Sequence, residues 1–169
     1  VEGGETWGRY SFLGYNPILR VTCKDKKVTI EENHKKRFVE TGKPLEVLRG
    51  ILKEYRSPRI EGMPPFTGGF VGYFAYSMIG YAEPVLSISG GDFDDYDLML
   101  FDRVIAYDHL RQKICLVVNM KTDKVLENYG KAAAQLEAMA GVIRSNAPLP
   151  VLTTDSQVDF TCSASKEEY

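Results

Sequence analysis

The sequence is sparing with the residues on which most site chemistry depends. Its 169 residues hold three cysteines, two histidines and one tryptophan. Cys23, Cys115 and Cys162 are odd in number, far apart and without C-x-x-C spacing. That argues against a disulfide framework or a zinc site and for a reducing, cytoplasmic setting. His34 and His109 neighbour neither each other nor a cysteine. A metal needs three or four converging ligands, so His109 reads as a solvated turn residue. No Ser/His/Asp or Cys/His order is defensible with two histidines, and there is no G-x-S-x-G elbow.

Charge of one sign is also missing. Lys and Arg total 21 against 23 Asp and Glu, a formal net charge of −2. A nucleic-acid binder needs a concentrated positive field to neutralise phosphates, so that class is set aside. Val1-Glu2-Gly3-Gly4-Glu5 has neither the basic start nor the apolar run of a targeting segment. Neither an internal repeat nor a low-complexity tract occurs. At the far end Ser165-Lys166-Glu167-Glu168 reads as a capping box, a helix start, one residue before the sequence stops. With no initiator Met either, the expectation is a piece of something longer.

What is present is the mixture of a globular domain: 44% apolar and 26% charged residues, in a length that suits one domain. Gly62 to Ala82 is uncharged for 21 residues, long enough to cross a bilayer. Its Pro64-Pro65 pair and glycines 62, 68, 69, 72 and 80 make a poor continuous helix. The segment reads instead as a strand over Phe66–Ala75, buried on both faces.

The first third has β character. Arg9–Gly14 is a short strand, and Asn16-Pro17 breaks it. Ile18–Cys23 and the alternating Lys27–Glu31 follow around a tight turn at Lys24–Lys26, with a further short strand at Arg37–Glu40. Pro44 suits the first turn of a helix whose apolar face is Leu45, Leu48, Ile51, Leu52 and Tyr55. Asp97–Asp108 and Ile114–Val118 read as the arms of a hairpin. Val125, Tyr129, Ala132, Leu136, Met139 and Ile143 recur at helical spacing, and Asn146-Ala147-Pro148 ends that helix. Leu149–Ser163, rich in Thr, Ser and Asp, looks like a linker. The order predicts an α+β fold of antiparallel β-sheets with helices packed on the outside, with one domain over 1–148 and a linker plus the start of a further unit over 149–169.

Two patterns invite chemistry and do not carry it. Asp92, Asp94, Asp95 and Asp97 lack the calcium-loop pattern and read as a solvated loop, since such carboxylates repel one another without a cation. Gly68-Gly69-Phe70-Val71-Gly72 lacks the Lys and Ser/Thr of a phosphate loop and continues as strand.

Three longer stretches carry a resemblance. Glu2–Pro17, with Gly8-Arg9-Tyr10-Ser11-Phe12-Leu13-Gly14 at its centre, looks like the start of anthranilate synthase component I. Pro65–Tyr76 resembles that family's P-F-x-G-G-x-x-G-Y segment, and Asp97–Asp102 with Val104–His109 resembles its strand ending in F-D-H. The motifs stand in the family's order, and the resemblance runs from Glu2 to Tyr169. It implies the N-terminal domain of a chorismate-utilising enzyme, part of the larger anthranilate synthase-like fold, with a chorismate-binding domain to follow. The implied parent is a lyase of tryptophan biosynthesis that makes anthranilate and pyruvate from chorismate and ammonia. A glutamine amidotransferase subunit (component II) supplies the ammonia, and Mg²⁺ sits on acidic ligands outside this chain. This piece would then hold no catalytic and no metal residue and would be inactive alone.

Feedback inhibition is the contribution the resemblance leaves to it. Tryptophan-inhibited members bind the effector between the two domains, partly through an L-L-E-S motif that would precede Val1. Tyr10 and Ser11 are the nearest matching wall residues here, with Arg20 more distant; each also suits a plain strand position without a ligand. An effector between domains acts only if it prefers one arrangement of them, and the Phe70–Tyr76 strand is expected to transmit that arrangement. An apolar face is expected where the further domain packs, which also allows a homo-oligomer. The competing readings are aminodeoxychorismate synthase component I, which makes a folate precursor, and a stand-alone amino-acid-binding module.

Overall fold

The structure is a computed structural model that describes residues 8–83, 85–86, 88 and 91–145. The linker expected over 149–169, Cys162 and the capping box at Ser165 lie outside the described residues.

Among the described residues eight strands form two sheets, antiparallel throughout. Strands β2 (Leu19–Lys24), β3 (Lys27–Glu32), β4 (Lys35–Glu40), β5 (Gly69–Phe74) and β6 (Tyr96–Phe101) make a five-stranded sheet in the order β4-β3-β2-β6-β5. Strands β1 (Tyr10–Leu13), β7 (Arg103–Asp108) and β8 (Lys113–Val118) make a three-stranded sheet in the order β1-β7-β8. This is the expected α+β architecture.

Turn chemistry sets the register. Asp25 and Lys26 have φ of 49° and 67°, as do Asn33 and His34 at 50° and 62°. Two central residues at positive φ suit the turn whose twist matches its flanking strands. In β2 and β3 alternate residues are then driven inward: Leu19, Val21, Cys23, Val28 and Ile30 are buried. They meet Tyr96, Leu98 and Leu100 of β6, with Met78 and Leu48 completing the same core.

Leu48 belongs to helix α1 (Pro44–Glu54), which starts with Pro44 as expected. Pro44 is buried, and its carbonyl accepts the Tyr96 hydroxyl at 3.3 Å. A one-turn helix α2 (Ile79–Ala82) follows β5. Helix α3 (Val125–Arg144) contacts β8. Val104, Ala106 and Val117 alternate inward on the three-stranded sheet and are buried, as is Met139 of α3. Among the described residues no helix is long and apolar enough to cross a membrane.

Four expectations need correction. The Phe66–Ala75 segment is not a strand buried on both faces: β5 is shorter and lies at the edge of its sheet, with Val71 46% and Phe74 55% exposed. Its apolar run reflects a strand whose far edge no described strand pairs. The Asp97–Asp108 run is not one arm of a hairpin; the chain changes sheet at Asp102, and the hairpin is β7–β8. The acidic segment is not wholly solvated, because Asp95 is only 5% exposed and hydrogen-bonded. In α3 the expected apolar stripe buries only Met139, while Tyr129 is 66% exposed.

Candidate functional site

β1 carries two of the three residues singled out for a ligand, and its pairing brings in partners from another motif. The register sets Tyr10 opposite Asp108 and Ser11 opposite Tyr107. The Arg9 guanidinium donates to both Asp108 oxygens, from Nε at 3.0 Å and from Nη2 at 2.7 Å. Asp108 also accepts the backbone N–H groups of Leu110 and Arg111, each at 3.1 Å. One carboxylate thus ties the β7–β8 turn to the entry of β1.

Ser11 Oγ lies 2.7 Å from His109 Nε2, and the His109 ring meets Tyr107 edge-on at 4.7 Å. Tyr10 stacks on Phe12 at 5.9 Å, with the Arg9 guanidinium 4.9 Å from its centroid. Successive strand residues point to opposite faces. Tyr10 and Phe12 therefore share one face of β1, while Ser11 and the exposed Leu13 share the other. A ligand lying on one face meets one of the two candidates.

Arg20 sits in the other sheet. It donates to Asp97 across β2 and β6, from Nε at 2.9 Å and from Nη2 at 2.5 Å. That bidentate pair, first by hydrogen bonding and then by charge, holds the guanidinium above its ordinary range. The structure groups Tyr10 and Ser11 with Arg9, Asp108 and His109, and leaves Arg20 paired elsewhere. Asp108 and His109 lie within a motif quoted above; what the sequence did not reveal was the register that sets them beside β1.

The Arg9 hydrogen bonds hold the Asp108 carboxyl well below the usual carboxylate range. A carboxyl with a depressed folded-state pKa stabilises the fold above its unfolded value, near 4, and loses that contribution as pH falls toward the folded one. Thermal melts between about pH 5 and pH 2 are expected to show a shallower loss of stability for Asp108→Asn than for the unaltered chain. Parallel curves would contradict the pairing.

No described group of three His, Cys, Asp or Glu residues is placed to hold a metal ion. The acidic segment does not fit Mg²⁺: Asp95 accepts Ser77, Tyr81 and Asp25, while Asp97 is taken by Arg20. An open groove of about 200 Å³ lies beside the start of α3, lined by residues that include Asn119, Lys121, Asp123 and Lys131. It includes none of the β1 residues.

Fold and clusters together define a two-sheet antiparallel α+β domain whose buried carboxylates serve as structural acceptors. No family model matches the chain. Among curated proteins, anthranilate synthase component 1 of Acetivibrio thermocellus is 33% identical over 180 residues, covering 100% of this chain and 36% of that one. Its counterpart in Aquifex aeolicus is 35% identical, covering 80% of this chain and 28% of that one. For Pseudomonas aeruginosa the figures are 34%, 85% and 30%. The crystal structure of anthranilate synthase component I from Streptococcus pneumoniae superposes with a TM-score of 0.65 at 20% identity, covering 88% of this chain and 32% of that one. The chain is an anthranilate synthase component I-like domain, matching an N-terminal fragment of those relatives. It spans about a third of the length of the curated relatives it matches.

Proposed function

We propose that this chain is the regulatory and scaffold domain of an anthranilate synthase component I. The whole enzyme converts chorismate and glutamine-derived ammonia into anthranilate and pyruvate in the cytoplasm, with Mg²⁺ held by a further domain and ammonia delivered by component II. The observation that carries this reading is the full-length match to a relative nearly three times as long. Exposed apolar side chains on β5 (Val71, Tyr73 and Phe74) and on the three-stranded sheet (Leu13 and Ile114) support it, since isolated soluble domains seldom leave such surface uncovered.

In this reading the β1 cluster is where tryptophan acts. Ser11, held by His109, presents a hydroxyl on one face, and Tyr10 presents its ring on the other. Arg20 lies in the other sheet, where its Nε and Nη2 donate to Asp97, and contributes less.

The test is product identity. The longer gene product, given chorismate, ammonium and Mg²⁺, is expected to form fluorescent anthranilate, and tryptophan to suppress that formation. Ser11→Ala is expected to weaken the suppression about tenfold, the loss of one hydrogen bond to a ligand of about 1.4 kcal/mol. A 4-amino product that needs a separate lyase would replace this reading with aminodeoxychorismate synthesis. Undiminished suppression in both Ser11→Ala and Tyr10→Ala, which probe the two faces in turn, would remove the β1 assignment.

A further inference from the structure

The two sheets meet at a small joint whose central side chain belongs to none of the motifs above. The chain leaves β6 at Phe101 and enters β7 at Arg103, so Asp102 alone spans the change of sheet. The Asp102 carbonyl accepts two N–H groups of one residue: the Asn119 backbone amide at 2.8 Å and Asn119 Nδ2 at 3.1 Å. Nδ2 also donates to the Thr67 carbonyl, ahead of β5, at 2.7 Å. Asn119 Oδ1 accepts the Ser57 hydroxyl at 3.3 Å. A carboxamide offers two donors and one acceptor oxygen, and here both kinds are engaged.

Neighbouring glycines keep the joint tight. Gly68 has a φ of 147°, and a Cβ on it would lie 2.7 Å from Asn119 Nδ2 and 3.0 Å from the Phe101 carbonyl. A Cβ on Gly14, where the chain passes from β1 toward β2, would lie 2.8 Å from the Phe101 ring. Phe12 of β1 meets Phe66 edge-on, with centroids 5.6 Å apart. The crossing at Asp102 and the approach to β5 at Thr67 thus meet at one carboxamide, and the passage from β1 to β2 packs at Gly14 on the neighbouring Phe101.

We infer that Asn119 is a lock between the two sheets. Its side chain fixes the one-residue crossing at Asp102 and so sets how the sheet carrying β1 lies against the sheet carrying β5. Without it, the backbone bond from Asn119 to Asp102 remains, but the Thr67 carbonyl is released and each sheet opens on its own. The lock follows from the fold; only its consequence, that a ligand at β1 is felt at β5 through this joint, rests on the proposed function.

Native-state amide exchange on the 169-residue chain tests it. In the unaltered chain the slowest amides of β2 and β6 and those of β7 and β8 are expected to exchange through one common opening. In Asn119→Ala the β7 and β8 amides are expected to gain about tenfold over those of β2 and β6. Leu98→Ala, which destabilises the five-stranded core without touching the joint, is expected to speed both sets alike. Equal acceleration of both sets in Asn119→Ala would reduce Asn119 to an ordinary stabilising residue and overturn the lock. So would separate openings in the unaltered chain. Asn119→Ser, which keeps one donor, is read in the same way if the alanine variant does not fold. A failed lock leaves product identity untouched, so the two readings are tested apart.

Discussion

Gly72→Ala is expected to strip β5 from its sheet. Gly72 lies opposite Leu98 in the β5–β6 register, and a Cβ there would fall on the Asp97 carbonyl oxygen. Its φ of 157° also lies at the margin of a region that side chains rarely adopt. Overpacking costs about 1–3 kcal/mol and a forced backbone conformation about 1–3 kcal/mol. Together they give about 2–6 kcal/mol, which in a chain of this size lowers the melting midpoint by on the order of 10 °C. Gly50→Ala supplies the opposite sign: it lies in α1, a Cβ on it meets nothing within 4 Å, and the change is expected to stabilise by about 0.5–1 kcal/mol. Melting curves of the two variants decide the matter. Similar midpoints for both would contradict the β5–β6 register, and with it the argument for β5 as an ordered surface.

The second large effect is expected at Asp95. Its carboxylate accepts the Ser77 hydroxyl at 2.8 Å, the Tyr81 hydroxyl at 2.7 Å and the Asp25 backbone N–H at 3.1 Å, with the Cys23 thiol 3.9 Å away. Tyr81 in turn accepts the Lys26 N–H at 2.9 Å. The left-handed turn at Asp25–Lys26, the α2 segment and the start of β6 therefore hang on one buried acceptor. Asp95→Ala orphans several donors at once, and an unsatisfied buried donor costs about 1–3 kcal/mol. The expected loss is about 3 kcal/mol, because the outermost hydroxyls regain water. Asp95→Asn, which keeps an acceptor oxygen, is expected to lose less.

Cys23 offers a second readout. Burial pushes its thiol up to about 11, so little thiolate exists near neutral pH and alkylation is slow. In Asp95→Ala the loosened turn is expected to speed alkylation at Cys23 by about tenfold or more, as local opening exposes the thiol. Unchanged stability together with unchanged alkylation would show that Asp95 is not the acceptor holding this corner.

Local signals were legible in the sequence wherever a single element decided them. The alternation of Lys27–Glu31, the turn residues at Asp25–Lys26 and the Pro44 helix start each act within a few residues, and each stands where the pattern put it. Asp102 was illegible because Leu98–Phe101 and Val104–Tyr107 both read as strand, and nothing local says that consecutive strands serve different sheets. Asp95 was illegible for a related reason: its donors stand at positions 25, 77 and 81, so a charge run looks solvated until folding supplies them. The exposure of β5 follows from its place at the edge of the sheet, with no described strand beyond it, which no periodicity within the strand encodes. Among the candidate residues, Tyr10 and Ser11 were placed correctly on a strand, whereas the Arg9–Asp108 and Ser11–His109 pairs depend on register.

Under the proposed function these residues serve chorismate chemistry without performing it. Release of pyruvate from chorismate, followed for this chain and for the longer gene product under the same conditions with Mg²⁺ and ammonium, tests it most directly. Turnover is expected from the longer protein that the proposal implies and none from this chain. Pyruvate released by the chain alone, or none from the longer protein, would contradict it.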